Sequence, residues 1–71
     1  MSESHDYMRD YLFEMDQAYI FKGFHIKEKE IEHLEKAKSI IVEYMDKEGG
    51  ISIGEWTLKN LERKINNLKK S

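Results

Sequence analysis

The chain has 71 residues, a formal net charge of −2, and neither cysteine nor proline. This length predicts one small domain, residues 1–71, and the lack of cysteine excludes disulfides and thiolate metal sites. Its start is acidic and polar, unlike a signal peptide, and no apolar run is long enough to span a membrane, so we expect a cytoplasmic protein without membrane contact.

Many charged residues without proline favour long helices, and the predicted fold class is all-α, a three-helix domain with a long central helix. The first helix is expected over residues 5–20, with Ser4 as the N-cap and Asp6 in the first turn. An apolar stripe at helical spacing predicts its buried face: Met8, Tyr11, Leu12, Met15, Ala18 and Tyr19.

Phe13 and Ile20 fall outside that stripe, and Phe13 is surrounded by charged residues on the helical wheel. An apolar side chain on a polar face is either covered by its own chain or belongs to a contact surface. The cover would come from Phe21 and Phe24 in the following joint; otherwise Phe13 and Ile20 contact a partner.

The joint IFKGFHIK, residues 20–27, is predicted to be a tight corner between helices. Gly23 adopts positive φ at low cost, so it is the expected C′ residue of the first helix. We expect the apolar side chains of Phe21, Phe24 and Ile26 to plug the end of the bundle.

The second helix, residues 26–47, carries two apolar seams and ends at Gly49-Gly50. The first seam consists of Ile31, Leu34, Ile41 and Met45, and the second of His33, Ala37, Ile40 and Tyr44. Together they are wider than the stripe of about 100° that one neighbour requires, so the helix is expected to contact two neighbours. Because so small a chain buries three helices poorly, we expect a homodimer that buries Ile40 and Tyr44.

The third helix, residues 53–69, opens with a predicted capping box formed by Ser52 and Glu55. Ile51 and Trp56 fit the accompanying hydrophobic staple. The buried seam that follows consists of Leu58, Leu61, Ile65 and Leu68.

Two stretches of the sequence resemble known metal-binding patterns. The joint DKEGGISIGEW, residues 46–56, resembles an EF-hand loop but is two residues too short, and the capping box already accounts for Glu55. Glu30 and His33 form one Glu-x-x-His pair, whereas di-iron bundles use two such pairs. With no nucleophile motif and no phosphate-binding glycine loop either, we predict no metal site, no cofactor, no catalytic residue and no enzymatic activity.

Charge is distributed unevenly: residues 1–20 carry five acids and one base, and residues 51–71 carry five bases and two acids. On the third helix, Lys59, Arg63 and Lys70 recur with Asn66 opposite the leucine seam. With Lys64, these cations are candidates for contact with nucleic acid or an acidic partner.

Residues 26–70 resemble the helical hairpins of small sporulation-control phosphatases that act on aspartyl-phosphate. That family carries a Ser-x-x-x-Asp motif on its second helix, and the corresponding stretch LKNLERKI lacks both residues. The resemblance therefore implies a hairpin without the phosphatase activity. The abundance of lysine, isoleucine and asparagine is typical of a low-GC bacterium or its phage.

These patterns predict a small regulatory or adaptor protein that inhibits or recruits a larger protein through helical surfaces. The expected partner-binding residues are Phe13, Ile20, Ile40 and Tyr44. The alternative is a nucleic-acid-binding module that uses Lys59, Arg63, Lys64 and Lys70. A third possibility is a structural subunit of a phage particle.

Overall fold

The computed structural model describes residues 6–70 and consists of three α-helices joined by short turns. They are α1 (Tyr7–Gly23), α2 (Lys27–Glu48) and α3 (Ile51–Lys70). The prediction of an all-α chain is confirmed. Helix α2 contacts both α1 and α3, and within the described residues no Cα atom of α1 lies within 8 Å of one in α3.

The core lies along α2 and contains few residues. Its buried members are Ala18, Leu34, Ala37, Ile41, Leu61 and Ile65. Tyr11, Met15, Ile31, Leu58 and Leu68 pack against them and stay partly exposed, so the predicted seam of α3 faces the core. The Cα atoms span only 12 Å along the shortest axis. The helices therefore form a thin arrangement, and large apolar side chains of both outer helices, such as Phe13 and Trp56, remain exposed.

Helix α1 begins where the side chain of Asp6 accepts a hydrogen bond from the backbone N–H of Arg9, at 3.0 Å. This contact satisfies one of the free donors of the first turn. Asp6 is therefore the N-cap of α1 and does not lie in the first turn as predicted. Ser4, the predicted N-cap, lies outside the described residues.

The predicted C′ position at Gly23 is wrong. Gly23 is the last residue of α1, and His25 adopts the positive φ, 60°. The N–H of His25 donates to the carbonyl of Lys22 and that of Ile26 to the carbonyl of Phe21, which is the hydrogen-bond pair of a Schellman motif. The helix continues past Ile20 because the extra turn brings Phe21 onto the side that faces α2.

The predicted apolar plug at this corner is also only partly formed. Phe21 is half-buried, whereas Phe24 and Ile26 are exposed. The Schellman turn directs the chain into α2 within three residues, which leaves no loop to fold these two side chains back over the core.

Helix α2 ends as predicted at Gly49, whose φ of 77° is left-handed. Only Gly49 and Gly50 separate α2 from α3, so the joint contains no twelve-residue ion-binding loop. The predicted capping box is wrong, because α3 begins at Ile51 and Ser52 lies inside the helix. The N–H of Gly54 donates to the carbonyl of Gly50 at 2.9 Å, which places Gly50 immediately before the first turn.

Gly54 shows why the early start of α3 is favourable. It is buried, and a Cβ atom at this position would occupy the space of the Met45 side chain. The absence of a side chain therefore lets α3 approach α2 closely at the first turn.

Replacing Gly49 by alanine is expected to lower the free energy of unfolding by about 1–2 kcal/mol, because the left-handed conformation costs an L residue that much. The matched control is Gly23→Ala. Gly23 is helical and a Cβ there meets nothing within 4 Å, so this change should raise stability by about 0.5–1 kcal/mol. Urea unfolding followed by circular dichroism measures both, and equal destabilisation by the two changes would contradict the assignment.

Candidate partner-binding surface

Three aromatic or polar contacts hold α1 against α2. The ring of Tyr7 meets that of Tyr44 edge-on, with centroids 6.0 Å apart. Two helical turns further along α1, Oε1 of Glu14 lies 2.7 Å from Nδ1 of His33 in α2. Phe21 then stacks on the same imidazole at 5.5 Å. These contacts decide which side of α1 faces the rest of the protein.

The Glu14–His33 hydrogen bond is a sheltered polar contact between α1 and α2. Its side chains are only 15% and 14% exposed. Leaving either group without its partner in such surroundings costs about 1–3 kcal/mol. Burial also raises the pKa of the Tyr11 phenol, one turn away from Glu14.

The inward side of α1 therefore differs from the predicted stripe. It carries Tyr7, Tyr11, Glu14, Ala18 and Phe21, at steps of four, three, four and three. From the predicted stripe, Met8, Leu12 and Tyr19 are exposed. The prediction is confirmed for Tyr11, Met15 and Ala18, which lie in or against the core, and is wrong for the other three. The hydrogen bond to His33 places Glu14, which is not part of the predicted stripe, on the inward side.

Phe13 and Ile20 lie on the opposite, outer side of α1. They are 57% and 46% exposed, and Phe24, four residues after Ile20, is 71% exposed. We call these three residues the outer stripe. Phe21 and Phe24 do not cover Phe13 and Ile20, because Phe21 stacks on His33 and Phe24 itself faces solvent.

A second apolar flank of α1 borders an open groove between α1 and α3. The groove passes over Leu34 of α2, and its walls include Met15 and Tyr19 on one side and Leu68 on the other. Met8 and Leu12 continue the α1 wall towards the N-terminal end. Helix α1 is thus apolar on its inner side, its outer side and one flank; the inner side is covered, and the flank is covered in part, at Met15.

The two partner-binding positions predicted on α2 lie beside α1. Ile40 and Tyr44 are half-buried. The ring of Tyr44 contacts that of Tyr7 and also lies close to Gly50. Ile40 shares its side of α2 with His33 and Tyr44 at helical steps of seven and four. These positions stabilise the α1–α2 packing, so an exposed contact surface has to be sought on α1.

Lys59, Arg63 and Lys70 lie opposite the buried seam of α3, whereas Lys64 lines the groove between α1 and α3. Lys59, Arg63, Lys64 and Lys70 are exposed, and none of them pairs with an acid among residues 6–70. Other cations are used between helices, where Lys38 pairs with Glu62 and Lys69 with Glu35, each at 3.4 Å. Ile53 and Trp56 are also exposed at the N-terminal end of α3.

The described part of the chain contains no group of three or more metal-ligating side chains. Glu30 of the Glu-x-x-His pair borders the groove, while His33 is engaged by Glu14. None of the three helices has the length and apolar character needed to cross a membrane.

Comparison of the chain with known protein families, with curated proteins and with solved structures found no match.

A double-mutant cycle of Glu14→Ala and His33→Ala should give a coupling free energy above about 1 kcal/mol, as expected for a sheltered contact. The matched control is the exposed pair Glu32–Lys36, at 3.4 Å within α2, where about 0.3–0.5 kcal/mol is expected. Chemical unfolding measures each variant. Equal coupling in the two cycles would show that the Glu14–His33 contact does not orient α1.

Proposed function

We propose that this protein is a small regulatory or adaptor protein that acts by binding another protein through α1. The observation that carries the proposal is the apolar character of α1 on three sides, with Phe13 and Ile20 on the outer side left about half exposed. A helix that is apolar around most of its circumference is normally buried. A partner that covers the outer stripe supplies the missing burial.

The outer stripe has the spacing of a helical contact surface. Phe13, Ile20 and Phe24 follow one another at steps of seven and four, the pattern by which one helix anchors in the apolar groove of a partner. Burying each side chain contributes roughly 1.5–3 kcal/mol. Arg9 and Asp16 flank the stripe as exposed charges and provide a polar rim.

The proposal predicts that Ile20→Gln, alone or with Phe13→Gln, strongly reduces the recovery of a bound partner from the native host. Stability should change by no more than about 0.5 kcal/mol, because both side chains already face solvent. Val42→Gln is the matched control, since Val42 has the same exposure as Ile20, 46%, but lies on α2. Crosslinking and quantitative mass spectrometry of tagged variants measure recovery. Equal loss with Val42→Gln would contradict a contact specific to α1.

The second candidate is nucleic-acid binding through α3, which is supported by the four exposed cations without an acidic partner. If they contact phosphates, affinity should fall steeply as salt is added. Replacing Lys59, Arg63 and Lys70 with alanine should then abolish a mobility shift seen at low salt. A shift that survives these replacements would remove the basic side of α3 from consideration.

A further inference from the structure

We propose that the outer stripe of α1 binds the basic side of α3 in a second copy of this chain. This inference rests on the proposed function of α1 as a contact helix and identifies its partner. It is carried by the complementary charge and the exposed apolar anchors of two helices that do not meet within one copy.

The two surfaces match in the placement of anchors and charges. On α1, Phe13 is followed by Asp16 three residues later, and Asp6 lies two turns before it on the same side. On α3, Trp56 is followed by Lys59 and Arg63 at three and seven residues. Each helix thus presents an exposed aromatic ring beside charges, acidic on α1 and basic on α3.

Charges outside these patterns do not reverse the match. Arg9 is the exposed cation on the outer side of α1, and Glu55 precedes Trp56 on α3. On the outer side of α1 the exposed acids Asp6 and Asp16 still outnumber the base Arg9, whereas Glu14 faces α2. Helix α3 carries five bases and two acids, and one of the bases, Lys69, pairs with Glu35. One of those two acids, Glu62, already pairs with Lys38.

Phe13 of α1 and Trp56 of α3 do not meet inside one molecule, although Asp16 and Lys64 line the same groove between the two helices. Helices α1 and α3 pack on different sides of α2, and their outer sides point away from α2 in different directions. The contact between copies is therefore head-to-tail, α1 of one copy against α3 of the next, and not a symmetric pairing of α1 with α1. Opposite charges at such an exposed interface make association weaker as salt rises.

The test uses two variants of the full chain. The first, Phe13→Lys with Ile20→Gln, disables the outer stripe and leaves α3 intact. The second, Trp56→Gln with Arg63→Glu, disables the basic side of α3 and leaves α1 intact. Circular dichroism and urea unfolding of both variants verify that each is folded, and Val42→Gln serves as the control variant.

We expect the wild-type chain and Val42→Gln to associate reversibly in sedimentation velocity at low salt, and less at high salt. Each disabled variant alone should sediment as a monomer. An equimolar mixture of the two should form a species with the mass of two chains, because one intact α1 and one intact α3 remain between them.

Three results would overturn the inference. A second variant that associates like the wild type would show that α3 takes no part, and a mixture that stays monomeric would show that the two surfaces do not bind each other. A wild-type chain that is monomeric at every concentration would exclude a second copy as the partner. If Ile20→Gln still reduced recovery of another protein from the host, the proposed function would stand without this inference.

Discussion

The hydrogen bond between Glu14 and His33 is the contact on which the rest of the structure depends. It joins two largely sheltered polar side chains, and Phe21 stacks on the imidazole from the same helix as Glu14. Because a separated pair would leave both groups poorly solvated, α1 is held with Glu14 facing α2. That rotation turns Phe13 and Ile20 outward and leaves about half of each side chain exposed.

The sequence was sufficient for the helices, the buried seam of α3 and the end of α2, since periodic apolar residues and Gly49 are strong local signals. It was insufficient where contacts distant in sequence compete with local patterns. In the sequence, Glu14 cannot be distinguished from an exposed acid, because its hydrogen-bond partner His33 is 19 residues away. Ser52 fits a local cap, yet α3 starts earlier, with Gly50 accepting the hydrogen bond of the Gly54 N–H while Gly54 packs closely on α2.

For the candidate surface, the sequence was informative about α1 and less so about α2. Phe13 and Ile20 stood out as apolar side chains beyond the expected buried stripe, and they are exposed in the structure. Ile40 and Tyr44 belong to a seam that the sequence could assign to any neighbour, and in the structure that seam lies beside α1. The width of the apolar surface of α2 predicts two neighbours, but it does not identify the helices that pack there.

The most direct measurement is the alkylation rate of single cysteines introduced into this cysteine-free chain at low protein concentration. Leu12→Cys and Phe13→Cys should react as quickly as a thiol in an unfolded peptide. Ala18→Cys should react at least about tenfold more slowly, because a buried thiol reacts only when the structure opens. Equal protection at residues 12 and 18 would mean that α1 buries the stripe expected from the sequence, which would contradict the orientation and the surface derived from it.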